Sequence, residues 1–279
     1  MNKKVIFCDI DGTLVNHHGV MPATTKEAIR KARENGHLVF LCTGRSKVEV
    51  VGEAAKLEVD GRICSAGGYV EVQGKVIRQE FMPVETIKHL VSFLDANEIH
   101  FCLEAIDKTY VSRHTRKFFT ERMATNIAAH PEDKEQIEAH MQGLIDHMVE
   151  GADLVRDDIC KVLFFGSRLS IEALKEEFKE IIVLPNSMEF WGGNSGEMMI
   201  PNVHKASGIE YVLAHLGLNK EDTVGYGDSL NDMEMLQFVD LGIAMGNAIE
   251  ALKEVADEIT DSVEENGIYN SFKKHNFIG

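Results

Sequence analysis

At 279 residues, with 44% hydrophobic and 27% charged residues, the chain has the composition of a globular protein with a large buried core, far from that of a disordered chain. A soft prior of roughly 150 residues per domain points to two domains. The formal net charge of -16 argues against a nucleic-acid partner, because a surface that neutralises a polyanion needs an excess of Lys and Arg; a small anionic substrate stays open if a metal ion or a few placed cations offset the field.

The chain opens on Met1-Asn2-Lys3-Lys4 and a short apolar run broken by Asp9 and Asp11, too short and too acidic for a signal peptide. No apolar stretch reaches the ~20 residues that span a bilayer, so no membrane partner is expected. Five cysteines (Cys8, Cys42, Cys64, Cys102, Cys160), odd in number and mostly inside apolar runs, read as reduced core residues of a cytosolic protein.

Short apolar, β-branched-rich runs predict buried strands at residues 4–9, 37–43, 62–66, 223–228 and 241–245. Helical patterns separate most of them; residues 25–35 form one, stopped by Gly36. Buried strands alternating with helices predict a doubly wound parallel sheet covered on both faces. Chemically capable residues sit where three strands stop: Asp9 and Asp11, Thr43, and Asp228. In an open α/β sheet that is the edge where ligands bind. The middle of the chain follows a different pattern. A hairpin pattern spans residues 69–78 around Gln73-Gly74, and a helix is predicted over 84–99. Strands follow at 100–106 and 109–113, joined at Asp107-Lys108. Further helices are predicted at 115–123, 133–149 and 170–179, with strands at 159–165 and 181–184. Residues 82–186 therefore read as an inserted α+β domain.

Four motifs carry the chemistry, and each also has a plain structural reading. Asp9-Ile10-Asp11-Gly12-Thr13 follows the first strand; Asp-Gly is a hairpin-turn signal, but a carboxylate at the end of a buried strand needs a partner, which a metal ion would supply. Thr43-Gly44-Arg45-Ser46 is either an ordinary strand end or an anion site at a helix start. Lys205, taken alone, is a solvated lysine near a helix start. Gly227-Asp228-Ser229-Leu230-Asn231-Asp232 contains a capping box, Ser229 with Asp232, which leaves Asp228 and Asn231 unexplained.

Together these motifs stand in the order and strand context of the haloacid dehalogenase superfamily, which the chain resembles throughout, strongly over residues 3–45 and 201–267. Met245-Gly246-Asn247-Ala248 and Glu265-Asn266-Gly267-Ile268 resemble its Cof-type branch, which contains many sugar-phosphate phosphatases. The large insertion lies between Thr43 and Lys205, as in members with a type 2 (C2B-like) cap. The resemblance implies a Rossmann-like catalytic core of residues 1–81 and 187–279, and a cap of residues 82–186 that reads the leaving group.

The same resemblance implies a cytoplasmic, magnesium-dependent phosphatase of small phosphorylated metabolites, sugar phosphates foremost. Asp9 would attack phosphorus and form an aspartyl phosphate, and Asp11 would act as general acid and then base. Asp9, the backbone carbonyl of Asp11 and Asp228 would hold Mg²⁺. Ile10, Thr43, Gly44 and Lys205 would bind the phosphoryl oxygens with help from Asn231, and Asp232 would support them from behind. One departure stands out: Ser65-Ala66-Gly67-Gly68 replaces the more usual Asn-Gly-Ala after the third strand. Three rivals remain: a phosphotransferase or mutase of the same fold, a receiver-type signalling module, and a phosphometabolite-binding protein without turnover. Length and the presence of Asp11 speak against the second, and retention of both Asp9 and Asp11 against the third. Among the inserted residues, His114, Arg116 and Trp191 are conceivable leaving-group contacts, although packing or a solvated face explains each as well.

Overall fold

A computed structural model describes residues 3–16, 19–129, 131, 134–185 and 193–279. In chain order the strands are β1 (Val5–Cys8), β2 (Leu38–Cys42), β3 (Gly61–Cys64), β4 (Tyr69–Val72), β5 (Lys75–Gln79), β6 (His100–Glu104), β7 (Thr109–Val111), β8 (Met148–Glu150), β9 (Lys161–Phe165), β10 (Ile182–Pro185), β11 (Gly196–Met199), β12 (Thr223–Gly227), β13 (Leu241–Ala244) and β14 (Glu258–Ile259). The helices are α1 (Ala23–Glu34), α2 (Gly52–Ala55), α3 (Val84–Ala96), α4 (Arg113–Ala129), α5 (Lys134–Asp146), α6 (Ile171–Glu177), α7 (Lys205–Leu216), α8 (Met233–Phe238), α9 (Glu250–Lys253) and α10 (Gly267–Lys274). The chain divides into two compact units, residues 1–45, 50–79 and 203–279, and residues 46–49 with 80–202.

The first unit is built on an eight-stranded sheet in the order β14-β13-β12-β1-β2-β3-β4-β5. All pairings from β14 to β3 are parallel, and β3, β4 and β5 continue as an antiparallel meander. Val5 and Phe7 share one face with Phe40, Cys42 and Ile63, packing against Ile209, Val212 and Leu213 of α7 and Met235 and Leu236 of α8. Strand alternation sends Ile6 and Cys8 to the opposite face, and all four β1 side chains are fully buried. A strand buried on both faces needs an unbroken apolar run, which is why β1 was legible as Val-Ile-Phe-Cys. Because β1 has β2 on one side and β12 on the other, the chain reverses its direction of growth there, and the crevice beyond its carboxyl end is where an open α/β sheet binds ligands.

The second unit holds a six-stranded sheet in the order β10-β11-β9-β6-β7-β8, antiparallel except for β7 with β8. One face buries Phe101, Leu103, Val162 and Phe164 against Ile87, Leu90 and Leu94 of α3 and Leu174 of α6. The other buries Cys102, Val111 and Phe165 with Phe119 of α4 and Met141 and Ile145 of α5.

Two expectations need correction. Of the stretch assigned to the core from 187 on, the described residues 193–202 group with the second unit instead: β11 pairs with β9 and β10, and the first unit resumes at Val203. The helix expected over 133–149 ends at Asp146, and Met148–Glu150 extend beside β7 instead, where parallel pairing outweighs a continuing helical period.

Candidate active site

The carboxyl ends of β1, β2 and β12 bring Asp9, Thr43 and Asp228 to one edge, as the sequence predicted. Asp9 follows Cys8 and donates its backbone N–H to the carbonyl of Tyr226 at 3.0 Å, extending the β1–β12 ladder by one residue, and its carboxylate is buried. Gly12 explains the tight turn after it. It sits at φ +79°, and a Cβ there would lie 2.2 Å from Asp228 Oδ2, so the turn admits neither an ordinary backbone nor a side chain. That close approach sets Asp228 against the Asp9–Gly12 turn. Thr13 then donates its hydroxyl to Asp228 Oδ1 at 3.1 Å.

Lys205 comes from the first residue of α7, which is capped by His204 and Ser207. Gly208 lets this helix end approach β3, since a Cβ there would stand 2.5 Å from Ile63 Cγ2. The lysine is completely buried, and its ammonium donates to Asp9 Oδ1 at 2.7 Å, to Asn231 Oδ1 at 3.1 Å and to Asp232 Oδ1. An ammonium has three N–H donors, so these three acceptors use all of them. Lys205 is thus at the site as expected, but as the internal counter-charge of Asp9 and Asp232. Burial alone would pull its pKa down; Asp232 and Asp9 more than reverse this and hold it above the ordinary lysine range.

Asp232 Oδ2 accepts the backbone N–H groups of Asp228 and Ser229, each at 3.0 Å, and the capping box with Ser229 is formed. The capping box thus forms in the same motif that sets Asn231 beside Lys205. Asn231 also accepts from Ser229 Oγ at 2.9 Å, and its Nδ2 flanks the Thr43-Gly44 turn, 3.2 Å from where a Gly44 Cβ would be. Thr43 is buried, with its Oγ1 accepting from the Arg45 N–H at 3.2 Å. Ile10 is buried and its carbonyl accepts from Leu14 and Val15, both at 2.9 Å, so its main chain anchors the turn between Asp9 and Asp11.

Three contacts escaped the sequence reading. Arg45 grips Asp11 with both prongs of its guanidinium, Nε to Oδ2 at 2.7 Å and Nη2 to Oδ1 at 2.6 Å. Asn247 donates to the carbonyl of Gly12 at 2.8 Å while accepting from the Val263 N–H at 2.9 Å, tying the loop after β13 to the β1 turn. The third is the Thr13 bond to Asp228. The motif containing Asn247 had been singled out without a role, but nothing local marks Thr13 and Asp228 as partners 215 residues apart.

Carboxylate oxygens of Asp9, Asp228 and Asp232 lie within 4.8 Å of one another. Asp232 has both oxygens committed to Lys205 and to two backbone N–H groups, which leaves Asp9 and Asp228 as the carboxylates suited to a cation. Burial pushes Asp9 well above the usual carboxylate range; Lys205 pulls it back, and Asp232, Asp228 and Asp11 push it further up. Asp228 is raised to about 7, by burial first and then by Asp232. Burial and like charge raise both carboxylates, an effect that a bound cation would offset, and an all-oxygen donor set fits Mg²⁺.

Of the leaving-group candidates, Arg116 donates to the Met148 carbonyl at 3.1 Å within the second unit, and Trp191 lies outside the described residues. Burial of the five cysteines agrees with reduced core thiols. Among the described residues no helix is long and apolar enough to cross a membrane.

Residues 6–272 match the family model of the haloacid dehalogenase-like hydrolases. The chain belongs to that family. YkrA of Bacillus subtilis is 29% identical over 98% of both chains. The 5-amino-6-(5-phospho-D-ribitylamino)uracil phosphatase YwtE of the same organism is 28% identical over 95% of both. The solved structure of the subclass IIB sugar phosphatase BT4131 superposes with a TM-score of 0.76 over 99% of this chain and all of that one; at 24% identity this bears on the fold alone.

Proposed function

We propose that the chain is a magnesium-dependent phosphomonoester hydrolase that acts on small phosphorylated metabolites, sugar or polyol phosphates foremost, through an aspartyl phosphate on Asp9. It is a phosphatase of the haloacid dehalogenase-like hydrolase family. The observation that carries the mechanism is the placement of Asp9: a buried carboxylate at the sheet's switch point, with one oxygen fixed by Lys205 at 2.7 Å and Asp228 at its side. Fixing one oxygen aims the other, which is the positional control that an in-line attack requires.

Phosphate monoesters resist water so strongly that enzymes accelerate their hydrolysis by up to ~10²¹-fold, and most of that must come from positioning and charge stabilisation. Mg²⁺ held by Asp9, Asp228 and the Asp11 carbonyl would neutralise the charge of the phosphoryl group. Asp9 attacks phosphorus while Asp11 protonates the leaving oxygen; Asp11 then deprotonates the water that attacks the aspartyl phosphate. Thr43, the Gly44 main chain and Asn231 Nδ2 offer donors to the phosphoryl oxygens. The phospho-ribityl group in the name of YwtE supports a polyol-phosphate substrate.

A panel of sugar, polyol and nucleotide phosphates assayed in water enriched in heavy oxygen tests this. The expected result is phosphate release that needs Mg²⁺, with one water oxygen in each phosphate. Phosphoryl transfer to an added sugar without water oxygen in any phosphate would reassign the chain as a phosphotransferase.

A further inference from the structure

We infer that Arg45 is a phosphate-clamping residue that exchanges partners. Its guanidinium holds Asp11, and a phosphoryl group that enters the site takes over the guanidinium and releases Asp11. The inference rests on the phosphatase reading above and adds a residue to it.

Lys205 cannot serve as the phosphate's cation without first dropping Asp9, Asn231 or Asp232, because its three donors are spent inside the protein. Arg45 stands differently. Its partner Asp11 is half exposed, with 53% of its side chain accessible against 22% for Arg45. Because Asp11 is half exposed, water can take over its carboxylate when the guanidinium leaves, which lowers the cost of exchanging this two-pronged pair. The guanidinium fork matches the oxygens of a phosphate as well as those of a carboxylate, and a dianion carries more charge than Asp11 does.

The root of the side chain is fixed where such a pivot must be. The Arg45 N–H donates to Thr43 Oγ1 at 3.2 Å, its carbonyl accepts from the Ser65 N–H at 2.7 Å, and Thr43 is itself held by the Ile63 carbonyl at 2.9 Å. A pinned main chain beside the Thr43-Gly44 turn leaves the head of the side chain as the part that moves. Release also frees the two Asp11 oxygens, both held by that one guanidinium, for proton transfer.

The test uses the full-length enzyme with Mg²⁺ and inorganic phosphate as the probe, measured calorimetrically and as an inhibitor of nitrophenyl phosphate hydrolysis. Arg45→Gln should weaken phosphate binding roughly ten-fold or more and raise KM in step, and Arg45→Lys should restore only part because it lacks the fork. Asp11→Ala should tighten phosphate binding, by freeing the guanidinium, and the double variant Asp11→Ala/Arg45→Gln should lose that gain. Thermal melts check that each variant folds. Phosphate binding within two-fold of wild type in Arg45→Gln, with kcat alone reduced, would make Arg45 a mere holder of Asp11 and overturn the inference. So would a gain in Asp11→Ala that survives the loss of Arg45, which would be a field effect. Failure of the underlying phosphatase reading looks different: wild-type enzyme that binds phosphate yet never becomes phosphorylated by an ester.

Discussion

Removing the Lys205 ammonium while keeping its volume, as in Lys205→Met, leaves Asp9 and Asp232 facing each other in a site where the lysine and Asp232 are fully buried. Breaking a buried pair by deleting one partner costs about 3–5 kcal/mol, because the remaining charge has neither water nor counter-ion. For a protein of this size each kcal/mol shifts the melting temperature by about 2–4 °C, so a mid-range loss of ~4 kcal/mol lowers Tm by roughly 8–16 °C. The pH dependence has a definite sign. Without the ammonium Asp9, which burial already pushes up and Lys205 pulls back, regains neutrality by binding a proton, with a folded-state pKa above the unfolded one. Stability is then retained at low pH and lost as pH rises, so the deficit should be far larger at pH 8 than at pH 5. The assay is thermal unfolding of chelator-treated protein at both pH values, for Lys205→Met and for Lys205→Met/Asp232→Asn, which removes one of the stranded charges and should recover part of the loss. A Tm for Lys205→Met within about 2 °C of wild type at pH 8 would refute the argument that this ammonium holds the site together.

Asp228, raised to about 7, must shed its proton to bind Mg²⁺. Apparent Mg²⁺ affinity should therefore fall by about ten-fold or more per pH unit below that value; calorimetric titrations showing the same affinity at pH 5.5 and pH 8 would contradict this. The same raised pKa implies that the metal-free protein loses stability as pH rises from the ordinary carboxylate range through about 7, and that added Mg²⁺ offsets the loss at the upper end. Ala66, buried at φ 52° and ψ 30°, occupies the left-handed region that β-branched residues avoid. Ala66→Val should cost 2 kcal/mol or more in denaturant unfolding, whereas Ala66→Gly should stay within about 1 kcal/mol of wild type, because relief of the backbone offsets the lost methyl group and the freer unfolded chain.

That turn is also where the sequence departs from the usual Asn-Gly-Ala. Ser65 and Ala66 both have positive φ, a conformation in which Asn and Gly are more at ease than Ser and Ala. The parallel core was legible because strands buried on both faces must be continuous apolar runs, as β1, β2 and β12 are. Strand β11 was missed because Gly-Glu-Met-Met offers neither alternation nor β-branching, and β8 because Met-Val continues the helical spacing before it. The gathering of Asp9, Thr43 and Asp228 at one sheet edge was legible since each motif fixes a local turn at a strand end. Arg45 with Asp11, Thr13 with Asp228, and Asn247 with the Gly12 carbonyl were not, because such pairings arise only when distant strand ends converge. The commitment of all three Lys205 donors was hidden for the same reason.

The most direct test of the account is chemical trapping of the phosphorylated residue. Nitrophenolate leaves almost unaided, so Asp11→Asn should still form the phosphoenzyme from nitrophenyl phosphate while lacking the base for its hydrolysis, a contribution typically worth ~10²–10⁴-fold. Acid quench after a burst, reduction with borohydride and peptide mass spectrometry should find homoserine in place of Asp9, in an amount matching the nitrophenolate released. Label on any other residue, or a stoichiometric burst that leaves Asp9 unmodified, would contradict it.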